Sequence, residues 1–343
     1  MSGLVHRLLD GALLTEGEAG ELFGLLTDPA TPPGLAGAAL GALRVRGARP
    51  AEVLGLARAL RAAARPCRLA SQGPLVDVVG TGGDASSSFN LSTGSAILAA
   101  ACGLSVAKHG TGAQSGRSGS ADVIEALGLP LPLTEEEAGA LLSSCGFTFL
   151  HAPHYHPALA AVGPLRRSLG TRTVFNLLGP LANPAAPAFA VIGAWSLEAA
   201  RAIAETISAL PIERAFVVHG ENGWDEPTPV GPFTLLDVRP GRVAASERDP
   251  EDLGLARCGP EALTGGDATT NAAALRRVLE GERGAHRDAL LLGASLALEV
   301  TRACETPREG IERAAAAIDA GRAAAILDTL AAFRPRRART AHV

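Results

Sequence analysis

The sequence predicts an α/β protein: a small N-terminal helical domain followed by a larger domain in which strands and helices alternate. Three observations lead there. Apolar residues recur at helix spacing from Leu4 to about Ala64. From Leu75 onward short apolar runs alternate with longer helical stretches. The first of those runs ends in Gly80-Thr81-Gly82-Gly83-Asp84, a turn from strand to helix. A length of 343 residues suits about two domains. We place the helical domain at 1–66, the α/β domain at 73–333 and a basic tail at 334–343.

The helical part opens with Leu4, Leu8, Leu9 and Leu13 at helix spacing, and Thr15 with Glu18 has the form of a capping box. Asp28-Pro29 and Thr31-Pro32-Pro33 interrupt it. Further stripes run from Leu40 to Val45 and from Val53 to Ala64, and Pro66 to Pro74 reads as a link. Strands are predicted at Leu75 to Val79, Leu104 to Ala107, Phe147 to Leu150, Ala188 to Ile192 and Ala215 to Val218. Helices are predicted at Ser92 to Ala101, Leu197 to Ala209 and Arg287 to Ala303.

Composition excludes several classes. Hydrophobic residues make up 47% and charged residues 19%, a globular balance. A net charge of −4 offers no basic face for nucleic acid. Its one basic run, Arg334, Arg336, Arg337 and Arg339, reads as a frayed end. Five scattered cysteines without a CxxC pair indicate neither a disulfide framework nor a zinc ribbon. Met1 to Leu14 lacks the apolar core of a secretory signal, and Gly94 to Ala107 is too short to span a bilayer. A cytoplasmic protein without a membrane partner is expected. Among 31 basic residues Lys108 is the only lysine, which suggests a site needing a compact ammonium.

Chemistry concentrates where the runs end. Gly80 to Asp84 offers backbone with few Cβ atoms, so amide N–H groups can approach an anion. Ser86, Ser87, Ser88, Asn90, Ser92 and Thr93 add small donors beside a helix N-terminus, a phosphate-binding arrangement. A dinucleotide fingerprint would need glycine at Ala85, and neither a P-loop GK[ST] nor a GxSxG elbow occurs. Lys108-His109-Gly110 follows the next strand, at the edge where open α/β sheets bind ligands. The loop from Gly110 to Asp122 could fold over a ligand or be a plain loop. Asp225-Glu226, after another strand, suits Mg²⁺, which takes few carboxylates and completes its shell with water and phosphates. His151, His154 and His156 have no acidic or thiol partner nearby, and Pro153 and Pro157 oppose a regular helix there. His154 and His156 are read as shaping a pocket, not holding a metal.

Together these stretches resemble the anthranilate phosphoribosyltransferase family of tryptophan biosynthesis. The likeness rests on DVVGTGGDASSSFNLST (Asp77 to Thr93), VAKHG (Val106 to Gly110) and SGSADVIEALG (Ser118 to Gly128). It continues in HPALAAVGPLRRSLGTRTVFNLLGPLANP (His156 to Pro184) and VVHGENGWDE (Val217 to Glu226). The resemblance implies a nucleoside phosphorylase/phosphoribosyltransferase-like fold with a central, mostly parallel sheet, helices around 160–180 joining the helical domain. It implies transfer of ribose 5-phosphate from phosphoribosyl pyrophosphate to anthranilate. Gly80, Thr81, Gly82, Gly83 and Asp84, with Ser88, Asn90, Ser92, Thr93 and Lys108, would hold the donor. Ser92, Asp225 and Glu226 would serve two Mg²⁺ ions, with Lys108, Asp225 and Glu226 as the catalytic set. His109, Thr111, His154, Arg166, Gly179 and Pro180 would line the acceptor side, Arg166 facing the anthranilate carboxylate. A homodimer through the helical domain is the family's usual assembly.

One departure stands on the acceptor side. The family usually reads KHGN, and here Thr111 and Gly112 follow Lys108-His109-Gly110. A threonine hydroxyl replaces an amide's paired donor and acceptor. A different aromatic or heterocyclic acceptor is therefore the alternative reading. A nucleoside phosphorylase of related fold, or a silent binding protein, are the others.

Overall fold

The computed structural model describes residues 2–84, 88–113 and 117–334. Ser86 and Ser87 of the phosphate-binding reading, and Arg336, Arg337 and Arg339 of the tail, lie outside the described residues.

Four helices come first: α1 (Ser2–Leu9), α2 (Glu16–Thr27), α3 (Pro33–Arg46) and α4 (Pro50–Ala62). The expected capping box starts α2: Thr15 Oγ1 accepts from Glu18 N at 3.3 Å, and Glu18 Oε2 accepts from Thr15 N at 2.8 Å. Pro33 and Pro50 sit in the first turns of α3 and α4, where a missing N–H costs nothing. Glu52 ties this layer together from a fully buried position. Its carboxylate accepts from Leu14 N at 2.9 Å, Arg49 N at 2.7 Å and Arg46 Nη2 at 2.5 Å. Glu52→Ala would strand those donors and a partly buried guanidinium. It is expected to cost about 3–5 kcal/mol, read as a lower denaturant midpoint, with Glu52→Gln losing less.

The rest alternates: β1 (Leu75–Gly80), α5 (Leu91–Ala101), β2 (Ser105–Gly110), α6 (Ser120–Ala126), α7 (Glu135–Cys145) and β3 (Phe147–His151). Three short helices come next, α8 (Ala152–Tyr155), α9 (Val162–Leu169) and α10 (Phe175–Leu178). Pro153 and Pro157 limit α8 to a single turn, as the sequence suggests. Then come β4 (Phe189–Gly193), α11 (Leu197–Ser208), β5 (Arg214–Gly220), β6 (Phe233–Arg239) and β7 (Arg242–Arg248). Helices α12 (Ala268–Leu279), α13 (Ala285–Val300), α14 (Pro307–Asp319) and α15 (Arg322–Ala332) close the described chain.

The strands make one seven-stranded sheet in the order β3-β2-β1-β4-β5-β6-β7. Its first five strands are parallel; β6 and β7 are antiparallel, a hairpin the strand predictions did not include. The turn at Pro240-Gly241, with Gly241 at φ 67°, joins them. The fold class is thus the expected one: a helical layer plus an α/β unit around a mostly parallel sheet.

Two cores flank the sheet. One gathers α5, α13 and the outer helices; the other joins α1 to α4 with α11 and residues of α9 and α10 such as Val162 and Phe175. Helix α5 is apolar nearly all round because sheet and helices enclose it. A Cβ on Gly94 would lie 2.5 Å from Leu275, and one on Gly293 would lie 2.2 Å from Ser95 Oγ, so α5 meets its neighbours through minimal side chains. Among the described residues no helix is long and apolar enough to cross a membrane.

Candidate active site

The connections from β1 lead one way, toward β2 and β3, and those from β4 lead the other, toward β5 and β6. The strand order therefore reverses between β1 and β4, and open α/β sheets bind ligands at the carboxyl ends of such a pair. β1 pairs with β4 as far as Gly80↔Gly193. With β2 it pairs only at Leu75↔Ser105 and Val76↔Val106. Beyond Val76 side chains bridge the opening. Asp77 Oδ1 accepts from His109 N at 3.2 Å, and Asp77 Oδ2 from Asn183 Nδ2 at 2.8 Å. Asn183 Nδ2 also donates to Ala107 O at 2.8 Å. A buried carboxylate thus holds Lys108 and His109 at the end of β2. Burial pushes Asp77 up to about 6, against the pull of Lys108.

The acidic pair is folded back onto this edge. After β5 a turn at Glu221 to Gly223 reverses the chain, with Asn222 at φ 59° and Gly223 at φ 84°. Gly220 N donates to Trp224 O at 2.9 Å, and Trp224 is buried beneath. Three strand-end glycines make room for Asp225 and Glu226. A Cβ on Gly80 would lie 2.6 Å from Asp225 Oδ2, one on Gly193 1.5 Å from Asp225 O, and one on Gly220 2.3 Å from Glu226 O. Asp225 Oδ2 accepts from Gly82 N at 2.5 Å and from Thr81 Oγ1 at 3.3 Å. Asp225 N donates to Asp84 Oδ2 at 3.4 Å. Glu226 Oε1 accepts from Ser92 N at 3.2 Å, in the first turn of α5. Lys108, 1% exposed, lies beneath them and donates to Ser92 Oγ at 3.2 Å and Val78 O at 2.5 Å.

The charges do not balance. Burial, then the nearby Asp84 and Glu226 charges, push Asp225 well above the usual carboxylate range. Burial likewise lifts Glu226 to about 7, although Lys108 opposes it. Lys108 itself is lowered by burial, against the attraction of Asp77, Glu226 and Asp225. One ammonium faces three carboxyls, with Asp84 beside two of them, an arrangement completed by added positive charge. Among the described residues no group of three or more His, Cys, Asp or Glu could hold a metal unaided. The adjacent oxygen donors of Asp225 and Glu226, seated on Gly82 N and Ser92 N, fit a hard cation such as Mg²⁺ that takes most of its ligands from water and phosphate.

Around this centre gather the residues expected to hold the donor. Gly82 and Gly83 turn at φ 66° and 73°, and Thr81 N donates to Gly193 O at 3.0 Å. Arg172 Nη1 donates to Gly83 O at 2.6 Å, and its guanidinium lies 5.1 Å over the Trp195 ring. Ser88 bridges to Thr264, Asn90 precedes α5, and Thr93 is buried in its first turn with Oγ1 unpartnered among the described residues.

The residues expected on the acceptor side come from β2 and the loop after it, α8, α9 and the turn at Gly179–Leu181. His109 is buried, with Nε2 unpartnered among the described residues, and its ring meets that of His156 edge-on at 5.1 Å. Burial, followed by the His156 charge, holds His109 down at about 3, so it is neutral. His156, not His154, packs on His109; His154 Nδ1 lies 3.4 Å from Arg65 Nη1. Arg166 lies 5.6 Å over Phe175, and burial lowers it. Thr111 is held by its backbone, its O accepting from Ala121 N at 3.2 Å and Ser120 Oγ at 3.3 Å. Asp122 Oδ2 clamps the same loop, accepting from Ala113 N and Gly119 N at 2.8 Å each.

Asp77, Arg172, Asn183 and Gly193 stand at the site without having been singled out from the sequence. Asp77 had a signal, as the lone acid inside an apolar strand; Gly193 had none, because its role depends on the backbone of a distant loop.

Known proteins share both layers. Residues 72–324 match the a/b domain of a glycosyl transferase family, and residues 2–64 match that family's helical bundle domain. A relative from Azorhizobium caulinodans named anthranilate phosphoribosyltransferase is 44% identical over 330 residues, 96% of this chain and 95% of that one. One from Streptomyces coelicolor, named anthranilate phosphoribosyltransferase 2, is 46% identical over 92% of this chain and 94% of its own. The solved structure of anthranilate phosphoribosyltransferase from Thermus thermophilus is 42% identical, with a TM-score of 0.89. It covers 96% of this chain and 98% of that one. The Saccharomyces cerevisiae enzyme, solved in complex with PRPP and Mg, has a TM-score of 0.87 at 26% identity, over 96% of this chain and 98% of its own. With both layers matched along nearly the whole chain, this protein belongs to the anthranilate phosphoribosyltransferase family of glycosyl transferases.

Proposed function

We propose that this chain transfers the 5-phosphoribosyl group of phosphoribosyl pyrophosphate to the amino nitrogen of anthranilate. The products are N-(5-phosphoribosyl)anthranilate and pyrophosphate, a step of tryptophan biosynthesis. The observation that carries the reading is the Asp225-Glu226 pair, folded onto the Gly80–Gly83 turn and Ser92. The named relatives support anthranilate over another acceptor.

Gly80 to Asp84 and Ser88, Asn90, Ser92 and Thr93 offer the backbone and small donors that bind the donor's phosphates. Asp225, Glu226 and Ser92 would hold Mg²⁺, two ions in our reading, with donor phosphates completing the shell. When bound, the metal supplies positive charge against that developing on the leaving pyrophosphate. Lys108 adds a fixed charge from beneath. Neutral His109 with Thr111, His154, Gly179 and Pro180 borders the acceptor, and Arg166 pairs with its carboxylate. The amine lone pair forms the new C1–N bond as the C1–O bond to pyrophosphate breaks, and the ammonium proton leaves to water. An aromatic amine is weakly basic, so positioning and electrostatics supply the rate without a general base.

The test is direct. Purified protein with phosphoribosyl pyrophosphate, Mg²⁺ and anthranilate should release pyrophosphate and lose anthranilate fluorescence together. Pyrophosphate release only with a different aromatic acceptor would refute anthranilate as substrate. No release with any acceptor would refute the transferase reading. We also propose a homodimer through the helical layer, supported by exposed Leu9 and Leu13 at its start and by Val45, 90% exposed on α3. Light scattering should give twice the monomer mass.

A further inference from the structure

We propose that Asn271 is a positioning residue that fixes which face of the Asn90 amide meets the donor. The inference rests on the reading of Asn90 as a donor ligand. It assigns a role to a residue 181 positions away that no sequence motif of the site contains.

Asn271 lies in the first turn of α12 and is 2% exposed. Its Oδ1 accepts from Gly266 N at 2.6 Å, and its Nδ2 donates to Asn90 Oδ1 at 2.7 Å. The segment before it supports the donor loop through backbone contacts. Phe89 N donates to Leu263 O at 3.1 Å, and Ser88 bridges to Thr264. A Cβ on Gly265 would lie 2.7 Å from Ser88 O and 2.8 Å from Phe89 N, so two backbones meet there with no side chain between them. On the other side Asn90 meets the second loop. Its Nδ2 donates to Ser118 O at 3.5 Å, and its Oδ1 accepts from Ser118 Oγ at 3.4 Å. Asn90 is therefore held between α12 and Ser118.

An asparagine amide has an accepting end and a donating end, which exchange on a half-turn. Phosphate oxygens only accept, so a donor-binding Asn90 must show its NH₂ group. The required direction can be traced to a group that cannot be reversed. The backbone N–H of Gly266 only donates, so it takes the Oδ1 of Asn271. Asn271 then has only its NH₂ to give, which takes the Oδ1 of Asn90. Asn90 is left with its NH₂ on the side of Ser118. Polarity thus passes from a fixed peptide group through Asn271 to the substrate-facing amide. Both strong bonds are short and meet at the buried Asn271, where a reversed amide would set two acceptors against each other.

The discriminating variant is Asn271→Asp. It keeps the size of the side chain and the acceptor for Gly266 N but removes the N–H given to Asn90. Asn90 is then expected to turn over and give its NH₂ to the new carboxylate, showing its oxygen to the phosphate. Steady-state rates of purified Asn271→Asp should show KM for phosphoribosyl pyrophosphate raised roughly 10–100-fold, the scale of one lost hydrogen bond to a charged group. Both kcat and the anthranilate KM should stay within about threefold, and the melting temperature near that of the parent. If Asn271 merely caps Gly266, Asn271→Asp would keep the parent's donor KM, and the proposal falls. A new negative charge could also repel the donor, so the Asn90→Ala background decides between the two. Adding Asn271→Asp to Asn90→Ala should leave the donor KM of the single variant unchanged. A further rise there means the charge acts directly, which overturns the relay. Should Asn90→Ala alone leave the donor KM unchanged, Asn90 is not a donor ligand, and the site reading fails together with this inference.

Discussion

Replacing Asp225 and Glu226 by Asn and Gln together is expected to lower phosphoribosyl transfer by at least about 10³-fold while leaving the metal-free protein as stable as the parent. The loss comes from what the pair supplies: two carboxylates seated on the donor turn and the first turn of α5. Removing a single preorganised electrostatic group from an active site commonly costs about 10²–10³-fold. Stability should behave differently. Asp225 is buried and Glu226 half-buried, and both lie near a third carboxyl, Asp84, so in the absence of a cation they repel one another. The amides keep a carbonyl oxygen to accept from Gly82 N, Thr81 Oγ1 and Ser92 N, and remove the repulsion. Differential scanning calorimetry without metal should give the variant a melting temperature equal to or above the parent's. Mg²⁺ with phosphoribosyl pyrophosphate should raise only the parent's. A variant that melts well below the parent would mean that the pair holds the fold rather than the ligand.

The glycine turn and helix start of this site were legible because they are local in the chain. Gly80 to Asp84 and Asn90 to Thr93 fall within one strand, turn and helix, so the glycines, small donors and helix start appear side by side in the chain. The solitary Lys108 was conspicuous by composition, and the structure places it under Ser92 and Glu226. Asp225-Glu226 was visible only as two acids after a strand; the turn that returns them to β1 depends on Asn222, Gly223 and a buried Trp224. The histidines were not told apart in the sequence. His156 rather than His154 packs on His109, because the single turn of α8 separates two histidines that look alike in sequence. The β6–β7 hairpin also escaped, since β7 is exposed on both faces and has no apolar alternation to show. Arg172, Asn183 and Asn271 act across 76 to 181 residues of chain, and no periodicity or spacing encodes contacts at that range.

Gly193 is the furthest case of this kind and gives the second large effect. It ends β4 in a chain segment of apolar residues, where alanine would ordinarily be accepted or even favoured. Its backbone angles do not require glycine, for it is absent from the positive-φ positions. The requirement is external: a Cβ there would sit 1.5 Å from the backbone oxygen of Asp225 and 2.5 Å from its carbonyl carbon. No rotamer change can relieve a backbone contact, so either β4 or the Trp224–Glu226 segment must move. β4 is paired on both sides, with β1 and with β5, and its Gly193 O accepts from Thr81 N. The acidic segment is therefore the part that yields, by more than an ångström, carrying Asp225 and Glu226 off Gly82 N and Ser92 N. A misplacement of that size costs about 10²-fold where reacting groups must be aligned. Gly193→Ala is accordingly expected to lower kcat/KM for phosphoribosyl pyrophosphate by about 10²–10³-fold and to cost about 1–3 kcal/mol of stability. Urea unfolding and steady-state rates on the same sample check both numbers. Gly179→Ala, at a site residue with nothing within 4 Å of the added Cβ, is the control for a glycine that should tolerate the change in stability. Near-parental activity in Gly193→Ala would mean that the acidic pair does not need its seat on the sheet edge, and the geometric basis of the site would have to be sought elsewhere.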